Sequence, residues 1–213
     1  MMPRLFRVSS RPSAATTLSS LLACAAVVSL AACGSSDPTL YTLAPVAGQP
    51  SPVLPAVNSV EVRLPTISAG LDRDRIVLSD SGYKLDVASS DAWSEPLASQ
   101  IAHVLAGELG QRLPGVNLVV QNDAITGTPQ AFVELVVNRF SRDASGQAIL
   151  DVQAAVRLAS ADDGAPFNRR ILLSTPAGFG TKGLVAALSA LLGQAADQIA
   201  AQIRALPPSV TAR

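Results

Sequence analysis

AFVELVVNRFSRDASGQAILDVQAAVRLAS, residues 131–160, carries the pattern that decides the fold. In its first half Val133, Leu135 and Val137 share one side of an extended chain; in its second Leu150, Val152, Ala154, Val156 and Leu158 do the same. A period of two over runs of this length predicts strands that bury one face and wet the other. Turn chemistry at Asp143 to Gly146 separates the two runs, and Asp162-Asp163-Gly164 separates the second from APFNRRILLST, residues 165–175. Three strands in an antiparallel meander follow.

Outward from the meander the period changes. SEPLASQIAHVLAGELGQRLPG, residues 94–115, sets Leu97, Ile101, Leu105, Leu109 and Leu113 at helical spacing, with Ser94 as N-cap, Pro96 in the first turn and Pro114-Gly115 as the stop. TKGLVAALSALLGQAADQIAAQIRALPP, residues 181–208, places Leu184, Leu188, Leu191 or Leu192, Ala195, Ile199, Ile203 and Leu206 on one stripe and ends at Pro207-Pro208. Upstream, SVEVRLP (59–65) alternates Val60, Val62 and Leu64 against Glu61 and Arg63, and RIVLSDSGYKLDVAS (75–89) is a hairpin about Asp80-Ser81-Gly82. VNLVVQ (116–121) adds a short strand. The fold class is therefore α+β: a single domain with a mostly antiparallel sheet and two long amphipathic helices packed on one face.

The amino-terminal end has a different logic. Arg4, Arg7 and Arg11 precede LSSLLACAAVVSLAAC (18–33), and no acidic residue occurs before Asp37. That is the layout of an export signal. Its apolar run is serine-interrupted and shorter than the roughly 20 residues of a spanning helix. Leu30, Ala31, Ala32 and Cys33 resemble the lipobox of bacterial lipoproteins. This resemblance implies removal of residues 1–32 by signal peptidase II, a diacylglycerol on the Cys33 thiol and an N-acyl chain such as palmitate on its amine. Gly34 in place of the aspartate that marks inner-membrane retention favours the outer membrane, periplasmic face. Residues 33–38 form the lipidated cysteine and a short tether, 39–206 the domain, and 207–213 a tail. The stretch 34–58, with its Pro-rich loop at 44–57, reads alone as a semi-extended tether; if TLYTL (39–43) docks as a strand, the free part shrinks to 34–38.

Composition excludes several functions. There are 16 basic and 16 acidic residues, and removal of Arg4, Arg7 and Arg11 leaves 13 against 16. With few aromatics and no basic cluster beyond Asn168-Arg169-Arg170, nucleic acid is not a partner. Loss of Cys24 with the signal and acylation of Cys33 leave no thiol for disulfides or zinc.

GFGTKG, residues 178–183, satisfies G-x-G-x-x-G between a strand and a helix, but no parallel strand follows and Asp197 lies within the helix, so it reads as a flexible connection. The lone His103 lacks metal-binding companions. LDRDR (71–75) reads as a self-satisfied charged loop. Trp93, the sole tryptophan, reads as an anchor that packs the helix entry. No catalytic, metal-binding or cofactor residue is assigned, and the chain is read as a non-enzyme.

The succession lipobox, YTLAP (41–45), a strand ending in proline, RIVLSDSGYKLDVASSDAWSEPL (75–97) and the closing helix resembles the ABC-type transport auxiliary lipoprotein family, whose best-known branch is the paraquat-inducible protein C group. Tyr41, Arg75, Tyr83, Trp93 and Pro96 match its structural pattern. The resemblance implies an outer-membrane lipoprotein that serves an ABC permease, its ATPase and a mammalian-cell-entry (MCE) domain protein in moving phospholipids or other hydrophobic molecules between membranes. Docking of an MCE tunnel, in one form as a homo-oligomeric collar, is the role it implies. A lipid-binding carrier and a structural lipoprotein of membrane integrity remain the alternatives.

Overall fold

The computed structural model describes residues 37–124, 127–160 and 167–208. Residues 30–33 and the turn at 162–164 lie outside the described residues. In chain order the elements are β1 (Thr39–Tyr41), β2 (Ser59–Val62), β3 (Thr66–Ile67), β4 (Arg75–Asp80), β5 (Leu85–Trp93), α1 (Leu97–Arg112), β6 (Asn117–Val120), β7 (Ala131–Arg142), β8 (Gln147–Leu158), β9 (Phe167–Pro176) and α2 (Gly180–Arg204).

The meander forms the spine of the sheet. β7 pairs antiparallel with β8 from Ala131↔Leu158 to Arg142↔Ala148, and β8 continues into β9 from Gln147↔Pro176 to Val156↔Phe167. Asp143 closes the first turn by accepting hydrogen bonds on Oδ1 from the Ser145 hydroxyl and the Ser145 and Gln147 amides. A register shift falls between Val137 and Arg139. The extra residue flips the phase of the alternation, so Phe140 joins Val133, Leu135 and Val137 among the buried residues.

The opposite edge of β7 receives three short segments in succession, all parallel to it: β2 (Val60↔Ala131), β3 (Thr66↔Val136) and the end of β4 (Ser79↔Arg142). Pro65, which has no N–H to donate, separates the first two. β6 flanks β2 in parallel and β1 flanks β5 in parallel, whereas β4 and β5 form the antiparallel hairpin around Gly82, whose φ is 90°. The α+β class and the single domain are confirmed, with the sheet mixed because α1 and the long connections permit parallel returns. Leu64, expected on the buried face, is 36% exposed because the strand ends at Val62 before Pro65.

Both helices bury the stripes read from their spacing. Leu97, Ile101, Leu105, Leu109 and Leu113 of the first, and Leu184, Leu188, Leu191, Ala195, Ile199, Ile203 and Leu206 of the second, are all at or below 5% exposure. The start of α1 needs correction: Pro96 occupies the cap position, and its carbonyl takes the Gln100 amide at 3.1 Å. Glu95 precedes a proline and is thereby disfavoured in helical conformation, so Ser94 lies in a bend outside the helix and donates its N–H to the Tyr41 carbonyl instead of capping. α2 has the length and apolarity to cross a bilayer, yet 61% of its most apolar window is buried within the protein.

Candidate functional site

Polar residues inside the α1 stripe are the feature that spacing alone did not reveal. Gln100, Glu108 and Arg112 are buried on α1, and Ser189 on α2. Their partners belong to the Pro-rich segment. Gln100 Oε1 accepts the Leu43 amide at 2.8 Å, Ser189 Oγ the Ala44 amide at 3.2 Å, and Glu108 Oε1 the Val46 amide at 2.9 Å. Gln111 takes the Gly48 amide at 3.0 Å and the Arg112 carbonyl the Ser51 amide at 3.4 Å. Pro45, Pro50 and Pro52 have no amide to satisfy, and the N–H groups of Leu43, Ala44, Val46, Gly48 and Ser51 find acceptors on the helices. The stretch that reads alone as a tether is a strap fastened along α1, and Leu43 and Val57 plug into the core at its two ends.

Arg112 ties the helices together beneath the strap. Its Nε meets Asp197 Oδ1 at 2.5 Å, Nη1 the Glu108 carbonyl at 3.0 Å and Nη2 the Gly193 carbonyl at 3.0 Å. Glu108 Oε2 is buried and has no hydrogen-bond partner. Burial pushes the Glu108 carboxyl from 4.5 up to about 7; the Val46 amide and Arg112 oppose this rise, and Asp197 adds to it. This carboxyl is walled in by helix and strap, so its raised value reflects confinement and not a reacting group facing substrate.

Each residue of the family-like pattern has a definite place. Tyr41 ends β1, half-buried against the core and opposite Trp93 in the ladder. Trp93 is 5% exposed and packs on Phe140 at a centroid distance of 6.3 Å, a core contact inaccessible to a stacking ligand. Arg75 is exposed at the start of β4 and its guanidinium donates to the Ser89 carbonyl. Tyr83, grouped with the structural residues, stands fully exposed on the β4–β5 turn and packs on no core residue.

The other candidates separate from one another. His103 is exposed on α1, with Nε2 at 3.2 Å from Asp123 Oδ1. No group of three potential metal ligands is present among the described residues. Around LDRDR, Arg73 donates to the Gly70 carbonyl, so the loop's arginines are satisfied by backbone oxygens and not by the neighbouring aspartates. GFGTKG is a tight connection instead of a flexible one: a Cβ on Gly183 would lie 2.4 Å from the Gly178 carbonyl carbon.

The surface offers shallow hollows. One of 310 Å³ lies between strap and α2, lined by Tyr41, Pro45, Val46, Lys182 and Val185 among others. Another, of 470 Å³ on the outer sheet face, is edged by Arg63, Gln121, Glu134 and Asn168. Beside it the Arg63 and Arg157 guanidinium groups sit 4.2 and 4.4 Å from the Phe132 ring centroid, and Arg157 also bonds Glu134 at 3.0 Å. On the same sheet Arg170 grips the buried Asp151 through two bonds of 2.7 and 2.6 Å, holding that carboxyl below its ordinary range.

Comparison with known proteins places this fold. A family model described as the ABC-type transport auxiliary lipoprotein component matches residues 41–200. No curated protein gives a significant sequence match. Among solved structures, a protein from Xanthomonas campestris superposes with a TM-score of 0.65 at 19% identity, over 78% of this chain and 95% of its own. An uncharacterized protein gives 0.64 at 20% identity, over 79% and 99%. At these identities the likeness is one of fold.

Proposed function

The chain belongs to the ABC-type transport auxiliary lipoprotein family, and from that premise we propose that it is the outer-membrane-anchored, periplasmic docking subunit of an MCE-type ABC transport system for phospholipids or other hydrophobic molecules. In this reading Cys33 is cleaved, acylated and embedded, and the domain is a rigid, non-catalytic fixture that receives the MCE protein. Multiple acyl chains hold such a protein on a bilayer durably.

One observation carries the reading: the domain is closed. The space between helices and sheet is filled by Leu105, Leu109, Leu184, Leu188 and Leu191, each fully buried, and the strap seals α1 from outside. A carrier of an acyl chain needs an apolar cavity that encloses most of its ligand. The hollows beside α2, one of 310 Å³ under the strap and one of 450 Å³ against β9 lined by Phe167, Arg169 and Gln202, are both open at the surface and enclose no ligand-sized cavity. The chain from Cys33 to Thr39 spans at most about 20 Å, which keeps a domain anchored at Cys33 close to the membrane.

The test is fractionation and crosslinking of the full-length protein in its own cells. Acylated protein should sediment with outer membranes and capture an MCE-domain protein. Cys33→Ala should abolish cleavage and release the protein from that fraction. Co-purification of a stoichiometric lipid without any MCE partner would favour the carrier instead.

A further inference from the structure

Two large aromatic side chains have no place in the packing. Tyr83 and Phe179 show relative exposures of 106% and 103%, so neither ring is covered by any part of the described chain. Such a ring kept in water forgoes the stabilisation of burial. Isolated apolar surface residues are ordinary, but these two occur at one end of the molecule.

That proximity follows from the topology. Tyr83 tops the β4–β5 turn, and Ser79 of β4 pairs with Arg142 of β7 just below it. The Asp80–Gly82 turn and the Asp143–Ser145 turn line a common hollow. Arg142 Nη2 donates to the Gly178 carbonyl at 3.0 Å, and the Ala177 amide reaches the Gly146 carbonyl at 3.3 Å, which brings the connection bearing Phe179 beside the same turns. Three adjacent loops thus form one tip.

The direction of the first strand agrees with this. β1 runs parallel to β5, whose first residue, Leu85, adjoins the Tyr83 turn, and although β1 pairs with the last three residues of β5, Asp91–Trp93, its N-terminus points toward the hairpin end. Thr39 faces Asp91 in the ladder, and the Asp91 carboxylate accepts the Thr181 hydroxyl at the start of α2. The entry of the chain and the loop of Phe179 are therefore neighbours. With Cys33 at most about 20 Å upstream of Thr39, a bilayer holding its acyl chains lies within reach of the tip.

We propose that this end is a membrane-contacting tip, in which Tyr83 and Phe179 enter the headgroup boundary of the phospholipid bilayer that holds Cys33 and thereby fix the orientation of the domain. The proposal rests on the acylation of Cys33 in the functional reading above. Aromatic rings favour that interfacial depth because one side is apolar and the other wet. Their surroundings suit a soft acceptor better than a protein: the rings stand singly above turns of Asp, Ser, Gly and Lys, without the roughly 800 Å² of complementary surface that a stable protein contact uses on each side. Charge does not drive the contact. Lys84, Arg139, Arg142 and Lys182 are offset by Asp80, Asp86, Asp91 and Asp143; Lys84 already pairs with Asp86 at 2.7 Å and Arg139 with Asp80 at 3.5 Å. Insertion should accordingly be indifferent to anionic lipid and to salt.

The experiment uses the full-length acylated protein reconstituted into phosphatidylcholine vesicles whose acyl chains are brominated near the headgroup. Tyr83→Trp and Phe179→Trp each place a fluorophore at the tip, and Leu54→Trp places one on an exposed strap residue beside Asn58 and Pro114, at the far end of the sheet. Tip emission should fall about twofold relative to unbrominated vesicles, as for a ring at interfacial depth. The far-end reporter and the buried Trp93 should remain unquenched, and high salt should leave the contrast intact. Protein that floats with the vesicles but shows no tip quenching overturns the proposal alone. Tip shielding that appears only as protein concentration rises, without bromine quenching, overturns it in favour of contact with a second copy. Protein that does not float, with Cys33→Ala processed like the native chain, overturns the anchor and the tip with it.

Discussion

The confined Glu108 should give the domain an inverted pH response in the neutral range, and Glu108→Gln should remove it. The native carboxyl is raised from 4.5 to about 7, chiefly by burial. Between those two values the unfolded chain has released the proton while the folded one retains it, so stability declines as pH rises through the window. It is fully present below 4.5 and changes no further above about 7. A carboxyl moved that far carries a ceiling of about 3 kcal/mol; local relaxation around the ionised group lowers the expected span to about 1–2 kcal/mol. The groups facing Glu108 are Arg112 on α1 and Asp197 on α2, and the strap contributes no charge between Leu40 and Asn58. Glutamine keeps an oxygen for the Val46 amide and does not ionise. Thermal denaturation from pH 5 to 8 should lower the Tm of the native protein by about 3–6 °C relative to Glu108→Gln, since 1 kcal/mol corresponds to about 2–4 °C at this size. Parallel Tm curves for the two proteins across this range would refute the reasoning.

Four further substitutions test the packing. Gly183→Ala forces a Cβ against the Gly178 backbone and should cost about 1–3 kcal/mol, whereas Gly107→Ala, with nothing within 4 Å on an exposed turn of α1, should gain about 0.5–1 kcal/mol; urea denaturation of the pair gives opposite signs. Gln100→Leu removes the acceptor of the buried Leu43 amide and should cost about 1–3 kcal/mol, with hydrogen exchange accelerated first at Leu43. Trp93→Ala empties the contact with Phe140 and should cost about 3–5 kcal/mol in the same denaturation assay.

How much of this was legible in the sequence depends on which interactions write themselves into spacing. The meander and both helices were readable because each buries a continuous apolar face against the same core, and a period of two or 3.6 records that directly. The bulge near Asn138 was not readable, because a single extra residue breaks the alternation without naming where Phe140 will point. The parallel edge of β7 was missed for a different reason: β2, β3 and β6 span four residues or fewer, and pairings between distant segments leave no local signature. Ser94 has capping chemistry, but Pro96 controls the backbone before it. The strap had a signal of a kind. Gln100, Glu108 and Arg112 fall beside the Leu97–Leu113 stripe, and polar groups on a buried face require partners; a charge-free segment of free amides and prolines was available to supply them.

The same polar seam bears on what the domain can do. For cargo to enter between α1 and α2, Arg112 would have to release Asp197 and the Gly193 carbonyl while remaining buried, and the strap would have to give up the acceptors on Gln100, Glu108 and Ser189. Each group freed without water or a new partner costs about 1–3 kcal/mol, more when charged. Such an opening is steep against the 5–15 kcal/mol that holds a whole domain folded. Alanines on the buried stripe of α2, at positions 187, 195, 196 and 200, close the remaining space by bringing the helix near the sheet. Interaction is thereby directed to the exterior: the exposed rings at one tip and the outer sheet face with Phe132 between two arginines. A domain built in this way agrees with the positioning role proposed above, in which hydrophobic cargo would travel through a partner and this chain would set where that partner meets the membrane.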